Sequence, residues 1–565
     1  MTATHPGTRL SRSLPFLILL LLIQVGALGL LAAVPPVSRD ALTHHLFVPS
    51  LYLRHGGIYE IPDIIFSYYP MNLDMLYMIP LYFGNDILPK YIHLLFGLMT
   101  AGLVYGYLRK RLSPAWGGLG ALFFISIPII VKLSITAYVD LGLAFFSTAA
   151  ILAIFRWLEN GCRTIDLVIA GVFSGLAAGT KYNALITVFL LSMFVPILYV
   201  RRKDATGIRG GAKGLGYGFL FLLVTGVVFS PWMLRDYLWT GNPIYPLGGT
   251  PARHLAHRGE AAGGESTGHD LSRTLEKITG QGRRVFIYRK VLYHEKWWQT
   301  ALLPVRFFFE GRDDDPRYFD GKLTPFLLLL PLAAFIRRDP RPTVQREKKV
   351  LLAFSVLAFF FTFFQSALRI RYMIPIIPPL AILAIFGLCE LHRLISWKNR
   401  RAAALFTTVV AGTMLAYNAT YTARQFSIVK PWPYIKGEVS RERYITSFYP
   451  EYKVIEYTNR FLSPKDKVLC IFLGNRGYYM RFQALFVRPG GSLLPGGLPE
   501  DGTSGLVAAL KREGIGHILS RDDLTASWLQ NLSSEKRAET IAFFRHHTML
   551  LYRYGGYSLY RVKKL

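Results

Sequence analysis

Residues 9–49 read RLSRSLPFLILLLLIQVGALGLLAAVPPVSRDALTHHLFVP, and the reading of this stretch decides the fold class. From Pro15 to Val34 it is almost wholly apolar. About 20 such residues in helical form cross the hydrocarbon core of a bilayer. The run exceeds the roughly 7–15 residues of a signal-peptide core, so an uncleaved anchor helix is expected, with its basic N-terminus inside. Behind it the chain turns polar at once, with Arg39, Asp40, His44 and His45 close together. A loop that only joins two helices needs no acid, guanidinium or imidazole.

The rest of the chain extends the pattern. Of its 565 residues 52% are hydrophobic and only 18% charged, against roughly 25% charged in a soluble globular protein. Apolar windows read as spans near 15–34, 90–108, 116–133, 140–157, 165–180, 183–200, 214–233, 323–336, 350–366, 373–391 and 402–421, about eleven helices. The net charge of +30 lies largely in short clusters between them: RKR (109–111), RRK (201–203), RRDPRPTVQREKK (337–349) and WKNRR (397–401). All fall on one side and mark it as cytoplasmic. No basic helix or aromatic platform accompanies the charge, so nucleic acid is not expected as a partner. Cys162, Cys389 and Cys470 are few and far apart, which supports neither a disulfide framework nor a zinc site. No phosphate-binding glycine motif occurs.

The expected architecture is a polytopic α-helical membrane region, residues 1–421, followed by an extracytoplasmic α/β domain, 422–565. Loops 35–89 and 234–322 face the same exoplasmic side as that domain. Within the second, GGTPARHLAHRGEAAGGESTGHD (248–270) reads as a mobile lid. The tail alternates helix and strand: EYKVIEYTNRF, then KVLCI, then GLVAALKRE, GHILS and YGGYSLYRV. That order suggests a small, mostly parallel sheet.

Chemistry gathers on the exoplasmic side. Asp40 and Asp140 stand at the ends of neighbouring helices, and the plain reading of each is a helix cap. Lys181 interrupts an apolar run, and a lysine at the membrane centre costs about 2.5–3.5 kcal/mol, so it belongs at a boundary or a polar cavity. Arg235, Arg369 and Arg371 lie at span ends, where each could simply snorkel to the interface. Together the four cations form a patch suited to a phosphate. His44 and His45 point about 100° apart on a helix. Either could pair with Asp40 or ligate a divalent ion.

The segments SRDALTHHLFVPSLYLRHG, AYVDLGLAFF, GLAAGTKYNAL, PWMLRDYLWTGNPIYP and RYMIPIIPPLAILA occur in that order. In order and topology the chain resembles bacterial GT-C glycosyltransferases, near the protein O-mannosyltransferases and the lipid A aminoarabinose transferase. The resemblance implies transfer of a sugar from a polyprenyl-phosphate donor to a glycan, lipid or protein acceptor, by an enzyme of the bacterial inner membrane whose C-terminal domain is periplasmic. It implies Asp40 as the essential acid and general base, and Asp140 as a second acid. Lys181, Arg235, Arg369 and Arg371 would hold the donor phosphate, and membrane lipids would surround the helices. Arg39 stands where such enzymes often carry an acid beside the first, which leaves a divalent metal as the one open cofactor. The alternatives are a transporter or flippase, or a ligase or polymerase, of lipid-linked glycans.

Overall fold

The computed structural model describes residues 14–202, 207–248, 284–363, 368–487 and 502–563. The stretch expected as a lid lies, from residue 249 on, outside them. A helix occurs at each expected span. The first ten helices are α1 (Leu14–Ala32), α2 (Phe47–His55), α3 (Asn72–Tyr82), α4 (Leu88–Arg111), α5 (Pro114–Ser126), α6 (Pro128–Ser134), α7 (Asp140–Glu159), α8 (Thr164–Ala178), α9 (Ala184–Val200) and α10 (Gly207–Thr240). By length and apolarity alone, six described helices suffice to cross a membrane, or seven if the bent α5–α6 pair counts as one. The expected eleven is not reached on that measure. Helices α8 and α9 are apolar but have only 15 and 17 residues.

The break between α5 and α6 bends the chain by 66°. Pro128 causes it, because proline offers no N–H to the preceding turn and its ring crowds that turn's carbonyl. Close packing of α8 on α10 depends on Gly171 and Gly175: a Cβ on Gly175 would sit 2.6 Å from the Val228 Cβ and 2.8 Å from the Thr225 carbonyl oxygen. Small residues four apart let membrane helices approach to backbone contact.

The expected span at 323–336 contains a helix of only eight residues, Phe326–Ala333, with Pro331 inside it. At 1.5 Å per residue it covers about 12 Å of a core about 30 Å thick. The chain nevertheless runs from one end of the bundle to the other. Gly321 abuts Ile370, whereas Arg341 donates to the Arg111 carbonyl at 2.6 Å. Arg111 also binds Glu347 at 2.6 Å. Two of the basic clusters thus touch each other, as a shared face requires.

The last long helix, Arg400–Val429, continues past residue 421 and leads into the C-terminal domain. Its five strands are β1 (Lys467–Ile471), β2 (Gln483–Phe486), β3 (Ile515–Arg521), β4 (Thr548–Tyr554) and β5 (Tyr557–Val562), in the order β2-β1-β3-β5-β4. β1 pairs parallel with β2 and β3, while β5 pairs antiparallel with β3 and β4. The sheet is therefore mixed, not mostly parallel. The cause is the Gly555–Gly556 turn, with φ of +56° and +80°, which closes a hairpin between β4 and β5. Central β1 is buried on both faces, Val468 and Cys470 on one side and Leu469 and Ile471 on the other.

This domain is seated on the first loop. Leu42 belongs to its hydrophobic core. The Tyr478 amide donates to the Leu42 carbonyl at 3.2 Å, and the Tyr479 hydroxyl donates to the Pro36 carbonyl at 2.8 Å. Arg441 pairs with Asp86 at 2.5 Å.

Candidate active site

Asp40 precedes a single π-helical turn, Ala41–His45, closed by the Leu46 amide on the Ala41 carbonyl at 2.9 Å. Such turns are rare and recur at functional sites. The Asp40 side chain caps nothing. It pairs instead with Arg371, 2.5 Å away. Arg371 lies on the 3₁₀ segment Ile370–Ile376, where Pro375 interrupts regular helix before Ile377–Ser396 begins.

Asp140 opens α7 but does not cap it either. The Leu141 amide donates to Nε2 of His93 at 2.9 Å, so a histidine of α4 serves that helix end. Asp140, fully buried, accepts from Lys181 at 2.7 Å through Oδ1, and its Oδ2 has no partner. The two acid–cation pairs are coupled, because the Arg371 guanidinium lies within electrostatic reach of both carboxylates. Tyr138 and Tyr372 close the arrangement: Arg371 sits 5.5 Å from the centroid of each ring, and Lys181 5.6 Å from that of Tyr372.

The π turn separates the histidines in role. The His45 Nδ1 lies 2.8 Å from Asp74, and its ring feels Asp40, Lys181, Asp140 and Arg371. His44 stacks on Phe66 at 4.4 Å, with its Nδ1 buried and unpartnered. Burial alone would raise the Asp40 carboxyl, but Arg371 and the two histidines overcome it and hold it well below the usual carboxylate range. Burial lowers His45 and raises Asp74.

Asp40, His44, His45, Asp140, Lys181 and Arg371 are thus brought together. Arg235 and Arg369 are not. Arg235 is neutralised by its neighbour Asp236 at 2.7 Å and lies over the rings of Trp232 and Trp239. Arg369 reaches Asp320 at 3.4 Å. Both were expected at the phosphate patch, and in each case a local carboxylate draws the side chain elsewhere. Asp74, His93, Tyr138 and Tyr372 join the cluster without having been assigned a role from sequence. The signal available was an isolated polar residue in apolar surroundings, as for Asp74 in MNLDML and His93 in YIHLLF.

Among the described residues no three His, Cys, Asp or Glu side chains gather as a metal would need. Both carboxylates are engaged by cations, Asp40 by Arg371 and Asp140 by Lys181.

Comparison with known proteins bears on the fold. ArnT from Cupriavidus metallidurans, in its apo state, superposes with a TM-score of 0.57 over 97% of this chain and 98% of that one, at 13% identity. The chain shares the fold of that structure. The same ArnT bound to undecaprenyl phosphate gives a TM-score of 0.56 at 14% identity, with 97% and 98% covered. The archaeal oligosaccharyltransferase AglB from Archaeoglobus fulgidus, in complex with an inhibitory peptide and a dolichol-phosphate, gives 0.51 at 13% identity, over 96% of this chain and 74% of that chain. Residues 82–232, from α3 to α10 of the helical bundle, match the family model described as dolichyl-phosphate-mannose-protein mannosyltransferase. A comparison with curated proteins gives no match.

Proposed function

We propose that this chain is a glycosyltransferase that moves a sugar from a polyprenyl-phosphate donor to an acceptor on the exoplasmic face of the bacterial inner membrane. The observation that carries the reading is the coupled pair of acid–cation contacts, Asp40–Arg371 and Asp140–Lys181, at the end of the bundle away from the basic clusters. A lipid-linked phosphate presents anionic oxygens at the membrane boundary, and guanidinium and ammonium groups bind them through charge-assisted hydrogen bonds.

The chemistry follows from competition for those cations. Before the donor arrives, each cation is held by a carboxylate. The donor phosphate draws Arg371 and Lys181 toward itself and loosens their hold on Asp40 and Asp140. Asp40, relieved of the charge that depresses it, becomes a better base and takes the proton of the acceptor hydroxyl. The acceptor oxygen bonds to the anomeric carbon as the bond from that carbon to the phosphate oxygen breaks, with inversion. The departing lipid phosphate keeps the bonding electron pair, and Arg371 and Lys181 stabilise its growing charge.

The test uses membranes containing the full chain and polyprenyl phosphate carrying a radiolabelled sugar. Label moving covalently to a lipid, glycan or protein acceptor supports the reading. Label that crosses or binds the membrane without changing its covalent partner overturns it.

A further inference from the structure

A cleft of about 520 Å³ opens between the first loop and the C-terminal domain, with Arg54 on one wall and Tyr452, Asn459 and Arg481 on the other. Its volume lies within the range of small-molecule sites, about 300–1,000 Å³. It is distinct from the acid–cation cluster. Arg54 stands nine positions after His45, along α2, or about 13 Å at helical rise.

The charges in the cleft are unevenly satisfied. Arg441 is paired with Asp86 and Arg460 with Glu456, each at 2.5 Å. Arg54 donates to the Met480 carbonyl at 2.9 Å, an uncharged acceptor. Among the described residues neither Arg54 nor Arg481 has a carboxylate within ion-pair distance. Yet the two lie within electrostatic reach of each other, one from each domain. Two like charges that face one cleft favour an anion between them, and guanidinium groups grip carboxylate or phosphate through paired N–H donors.

The rest of the wall suits a sugar. The Asn459 side chain is fixed by the Tyr479 carbonyl at 2.9 Å and the Arg481 amide at 2.8 Å, which ties its amide to the segment that leads into β2 and carries Arg481. Tyr452 packs edge-on against Tyr479 at 5.0 Å, which holds a half-apolar, half-polar ring at the cleft wall.

We propose that this cleft binds an anionic saccharide, a sugar bearing a carboxylate or phosphate that bridges Arg54 and Arg481. Its assignment as part of the acceptor rests on the transferase reading; the binding itself does not. Docked there, such a saccharide contacts both the C-terminal domain and α2, the helix that follows the histidines.

The experiment uses the full-length protein in phosphatidylcholine nanodiscs and ligand-observed NMR. The probes are cellobiuronic acid and glucose 6-phosphate, their neutral counterparts cellobiose and glucose, and inorganic phosphate. The acidic sugar of at least one pair is expected to bind about tenfold tighter than its neutral counterpart, with a preference that weakens as salt rises. Which acid binds tells carboxylate from phosphate. The Arg54→Gln/Arg481→Gln variant is expected to lose that preference. Should it fail to give a monodisperse gel-filtration peak, Arg481→Gln alone decides, since Arg481 is exposed and forms no ion pair. Equal binding of acidic and neutral sugars, a preference unchanged in the variant, or inorganic phosphate binding as tightly as the acidic sugars would overturn the proposal. Label transfer from the donor is read separately: its absence with the sugar preference intact sinks the transferase reading and leaves the cleft standing.

Discussion

Replacing Asp40 by asparagine separates a catalytic acid from a structural one. The substitution keeps shape and volume, and the amide oxygen still accepts a hydrogen bond from Arg371. It removes the negative charge and the site that takes a proton. The side chains of Asp40 and Arg371 retain 21% and 13% of their exposure, so the pair is partly screened. Loss of its charge is expected to cost about 1–2 kcal/mol of stability, less than the about 3–5 kcal/mol for breaking a fully buried pair. Arg371 also keeps Asp140 within reach and two tyrosine rings beside it. Turnover is expected to suffer far more. General base catalysis contributes about 10²–10⁴-fold, or about 3–5 kcal/mol of activation free energy. The assay is transfer of radiolabelled sugar at saturating donor, with thermal unfolding followed in the same detergent. If Asp40→Asn retains turnover within a few-fold of wild type, Asp40 is not the base, and the proposed mechanism falls.

The pH profile gives a second handle. The folded Asp40 carboxyl lies below its usual range, so its stabilising contribution is complete above the unfolded carboxyl value of about 4. That contribution is lost only as pH falls through the depressed folded value. Wild-type kcat/KM should therefore show no acid limb from Asp40 between about pH 5 and 8, whereas Arg371→Gln removes the dominant opposing charge and should move an acid limb up into view; identical profiles would refute the coupling. Lys181→Ala should raise the donor KM about tenfold or more, while Arg235→Ala and Arg369→Ala, whose cations are held by Asp236 and Asp320, should leave it within about threefold; the reverse order would sink the assignment of the phosphate site. In Gly387→Ala the new Cβ would lie 1.8 Å from the Leu330 carbonyl oxygen, so thermal unfolding in detergent should show a loss of at least about 2 kcal/mol. A fluorescent reporter active only in the cytoplasm and fused after Leu565 should stay dark, and bright cells would invert the proposed topology.

Some of this molecule is determined by local sequence alone. The bilayer demands apolar runs of sufficient length, and lysine and arginine clusters are retained on one side. Both signals are additive along the chain and need no knowledge of packing. The helices near the eleven expected spans and the alternation of helix and strand after Val429 follow from them, as does the grouping of Asp40, Asp140 and Lys181 at one end. The sequence also carried the Gly555–Gly556 turn, whose hairpin sets β4 beside β5, although the strand before it was not recognised.

What only the tertiary structure decided is partnership. A carboxylate and a cation on the same side of a membrane carry no mark of which will meet, because pairing depends on distances between helices far apart in the chain. Asp40 finds Arg371, 331 positions away, and Asp140 finds Lys181, while Arg235 is taken by the residue next to it and Arg369 by Asp320. Neither acid caps its helix, and again the reason is a distant partner: His93, from another helix, serves the start of α7, and Arg371 takes Asp40. The seat of the C-terminal domain on Leu42 is also a long-range contact. A hydrophobic side chain in a loop declares that it will be buried, but not against what. Electrostatic energy falls steeply with separation and burial is shared among many neighbours, so these choices are made by the folded arrangement and by no single segment of it.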